Sequence, residues 1–179
     1  MRSDYIKAEY MAHILAALMD GNRLACEVSL ATGLRIGDVL DLRTRDLPRQ
    51  GECRMSVRES KTGKTRRVRL PQALLDELRG YAGKVYVFEH RGDYTRHRTR
   101  QAVYKDIKRA CGLFRVANRA QVSPHSLRKI YAVGAMKKYG DLKRVQELLK
   151  HDDEAVTQLY ALADVLTERR LGGEVTLRR

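Results

Sequence analysis

The sequence predicts a mostly helical α+β domain with one small antiparallel β-sheet. Apolar residues recur at helical spacing along most of the chain, whereas strand-like alternation of apolar and polar residues is confined to the middle. With 179 residues, the chain is long enough to bury one sizeable core without disulfides or a structural metal. We therefore expect a single domain over residues 1–179.

The charge balance points to a polyanionic partner. The chain carries 36 Lys and Arg against 22 Asp and Glu, a net charge of +14, and the basic residues are spread along its whole length. Each phosphate that Lys or Arg neutralises releases condensed counterions, which favours binding to nucleic acid. A membrane surface is the less favoured alternative, since no helix pairs a purely basic face with a broad apolar one.

The cysteines and the N-terminus indicate the compartment. Cys26, Cys53 and Cys111 lack the paired spacing of a zinc site, and we interpret them as core residues in a reducing environment. The N-terminus has no signal-peptide run, and no apolar stretch approaches the ~18 residues of a membrane span. We expect a cytoplasmic protein that binds no metal.

The first part of the chain predicts two helices. Apolar spacing predicts a helix over residues 7–20 that stops at Gly21, and a second helix over residues 23–32 that Asn22 caps and Gly33 closes.

The tract TGLRIGDVLDLRTRDL follows, and its turn at Thr32 and Gly33 delivers Arg35 to the start of a short helix. Asp38 lies one turn after Arg35 and shares its face, so the pair is either a surface ion pair or part of a site.

The middle of the chain predicts a β-hairpin with a basic tip. The alternating apolar positions are Met55, Val57, Val68 and Leu70, and the polar tract ESKTGKTRR lies between them with a turn at Thr62 and Gly63. The tip residues Lys61 and Lys64 are either solvated charges or groups that reach a phosphate. Arg66 is a further candidate DNA contact. After the hairpin, the sequence predicts a helix over residues 71–79 and one more short strand over residues 85–88.

A second basic region covers residues 90–101, HRGDYTRHRTRQ. It is either a solvated connector or, as we favour, a loop and helix start that grip a nucleic-acid backbone through Arg96, Arg98 and Arg100. The helix is expected to continue to Gly112.

The last third of the chain predicts two more helices. Ser123 and Pro124 open the first, on which His125 and Arg128 are neighbours on one face and Lys129 is a candidate DNA contact. Asp141 caps the second.

The stretch LLKHDDEAVTQLYAL then places His151 in a turn and Tyr160 in an apolar helix. Taken alone, Tyr160 is better explained as a core tyrosine, because a phenol has a pKa of about 10 and is a poor nucleophile at neutral pH.

A set of six residues suits phosphoryl transfer. Every member except the phenol is a cation or becomes one on protonation, and the planar Arg fork matches the non-bridging oxygens of a phosphodiester. A Lys or His beside the leaving oxygen donates its proton, and a neighbouring His assists removal of the phenolic proton. The set is Arg35, Lys61, His125, Arg128, His151 and Tyr160.

These residues and their contexts resemble the catalytic domain of the tyrosine recombinase, or phage integrase, family. The resemblance makes Arg35 and Arg128 the catalytic arginines, with His125 in the His-x-x-Arg box HSLRK. It makes Lys61 the catalytic lysine of the hairpin and Tyr160 the nucleophile.

The same resemblance assigns assisting roles and reveals one departure. Asp38 is then an acid that supports the site. His151 lies in the family's last conserved box, which matches LLKHDDEAVTQLYAL, and assists proton transfer. Lys150 stands where the family usually has Gly, which adds a candidate phosphate contact.

The resemblance implies the tyrosine recombinase catalytic-domain fold and site-specific recombination of double-stranded DNA through a 3′-phosphotyrosyl intermediate, without a cofactor. Compared with the family, the N-terminal DNA-clamping domain is absent, so we expect either a fragment of a longer protein or a naturally minimal member. Residues 164–179 are long enough to be exchanged between subunits as dimers to tetramers assemble on DNA. Accessory DNA-bending proteins and a bacterial, archaeal or phage origin are expected. The alternatives are a DNA-binding module of the same fold without turnover and type IB topoisomerase-like strand relaxation.

Overall fold

The structure, a computed structural model, describes residues 6–114 and 121–149. The chain divides into two compact units, Met1–Ile130 and Tyr131–Arg179, which are described separately. The predictions for Lys150, His151, Tyr160 and the tail over residues 164–179 lie outside the described residues.

Helices dominate the described part of the chain, and the strands form two small antiparallel hairpins. This confirms the predicted fold class, with two sheets where the sequence predicts one. The helices are α1 Ala8–Ala16, α2 Asp20–Thr32, α3 Ile36–Leu40, α4 Gln72–Tyr81, α5 Arg100–Gly112, α6 Pro124–Tyr139 and α7 Leu142–Leu149, with a short 3₁₀ helix at Thr44–Asp46. The strands are β1 Arg54–Arg58, β2 Thr65–Arg69, β3 Glu89–His90 and β4 Asp93–His97.

Helix α2 lies at the centre of the first unit. It contacts α1, α3, α4, α5 and strand β2, and these elements bury one continuous hydrophobic core. The apolar face of α1 reaches this core through Met11 and Ile14, while Phe88 is among its largest fully buried side chains. The burial of such side chains is the main favourable contribution to stability here.

The boundary between α1 and α2 differs from the prediction. Gly21 does not stop a helix but lies in the first turn of α2, where a Cβ atom would come within 2.0 Å of the Tyr81 hydroxyl. The glycine is therefore needed for close packing. Asn22 does not cap α2 either, because its Nδ2 donates a hydrogen bond of 2.7 Å to Asp106 of α5.

The hairpin of β1 and β2 forms as predicted. Met55 pairs with Val68 and Val57 with Arg66, and these four residues form the buried face. The turn contains Gly63 in the left-handed conformation, with φ of 65°, which is a conformation that glycine adopts without strain.

The second basic region is not the predicted loop. Residues 93–97 form β4, which pairs with β3, and α5 then begins with Thr99 Oγ1 accepting a hydrogen bond of 3.1 Å from the Ala102 N–H. The strand predicted over residues 85–88 is replaced by a single bridge between Arg43 and Tyr86.

The described part of the second unit has its own apolar cluster. Ala132 and Ala135 of α6 pack with Val145 and Leu149 of α7. Asp141 caps α7 as predicted, with Oδ1 accepting a hydrogen bond of 2.9 Å from the Lys143 N–H. None of the helices within residues 6–114 and 121–149 is both long and apolar enough to cross a membrane.

Candidate active site

The C-terminal end of α2 organises the candidate site. Gly33 ends the helix in the left-handed conformation, with φ of 67°, and its N–H donates to the Ser29 carbonyl at 2.8 Å. The Ser29 hydroxyl donates to the Leu34 carbonyl at 2.8 Å, which holds the following turn. This turn places Arg35 at the N-cap of α3, as predicted.

Two arginines bind the carbonyl oxygens at this helix end. Arg66 donates to the Thr32 carbonyl and Arg128 donates to the Gly33 carbonyl. The last carbonyls of a helix have no partner within the helix and carry the negative end of its dipole, so guanidinium groups are favoured there. The helix end therefore fixes residues from a hairpin strand and from α6 beside Arg35.

Arg128 lies in a strongly cationic environment. Its side chain is buried, with the residue 6% exposed. Burial, followed by the nearby charges of Arg35 and Arg66, lowers the pKa of Arg128 to about 10. The group stays protonated at neutral pH, and an anion placed among these charges would be strongly favoured.

Glu59 holds two of these arginines and was missed by sequence reasoning. It is 0% exposed at the end of β1. Its Oε2 accepts from Arg35 Nη1 at 3.1 Å and from Thr62 Oγ1 at 3.3 Å, while its Oε1 accepts from Arg66 Nη1 at 3.3 Å. Two signals were available, since Glu59 is the only acid in the tract ESKTGKTRR and it continues the inward positions of Met55 and Val57.

Asp38 connects α3 to the hairpin turn. The residue is 3% exposed, and its Oδ1 accepts from the Ser60 N–H at 2.9 Å and from the Ser60 hydroxyl at 2.6 Å. The interpretation of Asp38 and Arg35 as a surface ion pair is wrong, because Arg35 pairs with Glu59. Lys61 follows Ser60 directly and is exposed, so Asp38 fixes the turn that carries it.

His125 lies near both candidate catalytic arginines. It lies at the start of α6, where its backbone N–H donates to the Ser123 hydroxyl at 3.2 Å. Partial desolvation, and then the positive charges of Arg128 and Arg35, lower the pKa of His125 below its usual value. An imidazole with a lowered pKa is mostly neutral at pH 7 and is able to accept a proton.

The predicted DNA contacts separate into two groups. Lys64, Arg96 and Arg100 are exposed, and Lys129 is half-buried. The other group, Arg66 and Arg98, needs the correction that follows.

Both of these side chains have structural partners. Arg66 is buried against Glu59 and the Thr32 carbonyl. Arg98 donates to Asn22 Oδ1 at 3.2 Å and to the Tyr81 hydroxyl at 2.9 Å. A guanidinium engaged in this way serves to hold the fold together, so the prediction that Arg66 and Arg98 contact DNA is corrected to a structural role.

The structure thus brings Arg35, His125 and Arg128 together and places Lys61 on the adjoining turn. Its described residues contain no group of three or more His, Cys, Asp or Glu side chains placed to hold a metal ion. Fold and site define a helical domain with a cationic centre suited to binding a phosphodiester. The model of the phage integrase family matches residues 5–165, and the chain belongs to that family.

Curated relatives are tyrosine recombinases. The chain is 32% identical over 175 residues to XerD of Rhizobium meliloti, a match that covers 93% of this chain and 51% of that protein. It is 32% identical over 143 residues to XerC of Bradyrhizobium diazoefficiens, covering 74% and 43%. XerA of Pyrococcus furiosus is 29% identical over 148 residues, covering 78% and 49%. The chain therefore spans about half the length of the curated relatives it matches.

Solved structures share the fold. The XerH recombinase in a post-cleavage complex with palindromic difH substrate superposes with a TM-score of 0.73 at 22% identity, over 94% of this chain and 52% of that one. A lambda integrase dimer bound to a COC′ core site, residues 75–356, has a TM-score of 0.68 at 22% identity, over 89% and 59%.

Proposed function

We propose that this chain is the catalytic domain of a site-specific recombinase that cleaves and rejoins DNA strands through a 3′-phosphotyrosyl intermediate. The observation that carries the proposal is the joint placement of Arg35, Arg128 and His125 around the C-terminal end of α2. The family supports it, as do relatives named tyrosine recombinases and neighbours solved with DNA.

In the proposed reaction, the Tyr160 oxygen attacks the scissile phosphorus and the bond to the 5′ oxygen breaks. Arg35 and Arg128 stabilise charge on the non-bridging oxygens, an interaction whose loss typically costs on the order of 10² to 10³ in rate. Lys61 donates a proton to the leaving 5′ oxygen. His125 and His151 assist removal of the phenolic proton and help to stabilise the charge that develops at the phosphate. Attack by a 5′-hydroxyl of another strand reverses these steps and completes strand exchange.

The partners follow from the same proposal. Duplex DNA is the substrate, and exposed Lys64, Arg96 and Arg100 are available to its backbone, with Lys129 and Lys150 as further contacts. We propose that the protein assembles on DNA through residues 164–179, with accessory DNA-bending proteins, in the cytoplasm where its substrate lies.

A suicide DNA substrate tests the proposal. A nick a few nucleotides beyond the scissile phosphate lets the short fragment that carries the released 5′-hydroxyl diffuse away, so the covalent protein–DNA adduct accumulates. We expect an adduct whose modified peptide contains Tyr160, and none from Tyr160→Phe. Tyr10→Phe, which changes a tyrosine that is 37% exposed on α1, is the matched control and should react normally.

The outcomes separate the alternatives. DNA binding with no adduct from the unaltered chain would favour a binding module without turnover. Relaxation of supercoiled plasmid with no recombinant product from paired sites would favour a topoisomerase. An adduct that persists in Tyr160→Phe would overturn the assignment of the nucleophile.

A further inference from the structure

The outward face of the β1–β2 hairpin is a basic surface that the proposed reaction does not use. Side chains alternate across a strand, so every second residue of β1 and β2 points away from the core. All six outward residues are exposed, and they are Arg54, Ser56, Arg58, Thr65, Arg67 and Arg69. We call these six residues the outer hairpin face.

The register concentrates positive charge on this face. Arg54 lies directly opposite Arg69, and Arg67 lies opposite Ser56. Directly opposed side chains in an antiparallel pair have Cβ atoms about 4.5 to 5.5 Å apart, and like charges there are destabilising. The fold therefore keeps a like-charged pair that an external anion would relieve.

Within the part of the chain that the structure describes, the arginines of the outer hairpin face form no ion pair with an acid. Among the described residues, the arginines that form ion pairs with acids are found elsewhere, as in Arg23 with Glu27 and Arg79 with Asp76. No such pair within residues 6–114 and 121–149 includes an arginine of the outer hairpin face. Its remaining members are Ser56 and Thr65, whose hydroxyls are also hydrogen-bond donors.

The face is distinct from the candidate active site. Arg66 lies between Arg67 and Thr65 on the opposite face, where its guanidinium meets Glu59 and the Thr32 carbonyl. Arg67 and Arg69 consequently point away from the arginines that would hold the scissile phosphate. A ligand bound by Arg67 and Arg69 would therefore lie outside the candidate active site.

We propose that the outer hairpin face binds the backbone of duplex DNA away from the scissile phosphate. Charge complementarity identifies the occupant, because a surface of guanidinium and hydroxyl groups without apolar side chains matches phosphates and offers nothing to anchor in a membrane. The choice of duplex DNA rests on the proposed function. The face adds sequence-independent affinity and leaves the chemistry to the site on α2.

A paired-variant binding experiment tests this. DNA affinity of the full chain is measured across a salt series for R67Q/R69Q and for the control R45Q/K84Q, which removes two exposed charges outside the hairpin. Loss of two phosphate contacts should weaken binding about tenfold and make the plot of log affinity against log salt shallower by about two. The control should match the unaltered chain, and R67K/R69K should recover most of the slope.

The outcomes are distinguishable from failure of the proposed function. If R67Q/R69Q binds with the same salt slope as R45Q/K84Q while the unaltered chain binds DNA, the proposal for this face falls alone. If the unaltered chain does not bind DNA even at low salt, the proposed function falls. Equal melting temperatures of the two double variants would establish that a binding defect is not a folding defect.

Discussion

The two ends of helix α2 use the same electrostatic device for different purposes. At the N-terminal end, the Asp106 carboxylate accepts hydrogen bonds from the Met19 N–H at 2.9 Å and from Asn22 Nδ2 at 2.7 Å. At the C-terminal end, the guanidinium groups of Arg66 and Arg128 donate to backbone carbonyls. Each end thus receives the charge that opposes its part of the helix dipole.

The ends differ in their charge balance. Asp106 at the N-terminal end is matched by Arg109, at 2.7 Å, and stabilises the fold. At the other end, Arg35, Arg66 and Arg128 face the two acids Glu59 and Asp38, both of which are buried. The capped end of a helix becomes a candidate phosphate site when the fold supplies more cations there than it neutralises.

The largest effect is expected at the C-terminal end. Arg128→Lys keeps the charge but loses the planar fork that contacts two phosphate oxygens, so the rate of adduct formation at saturating DNA should fall on the order of 10² to 10³. Arg109→Lys, the matched change at the other end, should react within about twofold of the unaltered chain. Equal rates for the two variants in single-turnover assays would break the distinction between the ends.

The next effect is on stability at the N-terminal end. Asp106→Ala leaves the Met19 N–H and the Asn22 amide without their acceptor, which should lower the free energy of unfolding by about 2 to 3 kcal/mol. Urea denaturation at neutral pH measures this. A midpoint equal to that of the unaltered chain would show that the cap contributes nothing.

At acidic pH, the free energies of unfolding of Asp106→Ala and of the unaltered chain should become more similar. Burial alone would raise the pKa of the Asp106 carboxyl. Hydrogen bonds from Asn22, Met19 and Arg109 outweigh this effect and lower the pKa below its usual value. A carboxyl whose folded pKa is lowered contributes stability above its unfolded pKa of about 3.9, and this contribution is lost as pH falls through the folded pKa. The gap between Asp106→Ala and the unaltered chain should therefore shrink below about pH 4.

A smaller effect is expected at Glu59, which positions Arg35 and Arg66. Glu59→Gln keeps the shape and one acceptor oxygen but removes the charge, so adduct formation at saturating DNA should slow about tenfold. DNA affinity should stay equal or increase, because a negative charge near the phosphate is lost. Glu52→Gln, at an exposed acid of the same region, is the control. A loss of affinity with an unchanged saturated rate would contradict the positioning role.

Periodicity predicted the elements that pack on both sides of α2. The β1–β2 hairpin was predictable because Met55, Val57 and Val68 alternate with polar residues. The turn at Gly33 was predictable because only a glycine readily ends a helix in the left-handed conformation. Strand β4 was not, because its side chains from Asp93 to His97 are mostly exposed and carry no apolar alternation.

The missed features depend on contacts between distant parts of the chain. Gly21 has the sequence appearance of a helix stop, but its role is set by Tyr81 on α4. Glu59 is a single acid in a basic turn. Its role is to hold Arg35, which precedes it by 24 positions in the sequence. Arg66 appears basic and exposed by composition, yet strand alternation places it on the buried face. Alternation along the strands thus indicates that Glu59 and Arg66 face inward, but it does not identify their partners, which lie in distant parts of the chain.

The central claim is that Arg128, held at the C-terminal end of α2, and Arg35 beside it neutralise charge on the scissile phosphate. It is tested most directly by replacing one non-bridging oxygen of that phosphate with a methyl group, which removes the negative charge. On the ordinary phosphate, Arg128→Ala should form the adduct on the order of 10² to 10³ more slowly than the unaltered chain. On the methylphosphonate, we predict that this ratio of rates is smaller by a factor of at least about ten. The same deficit on both substrates would contradict the claim.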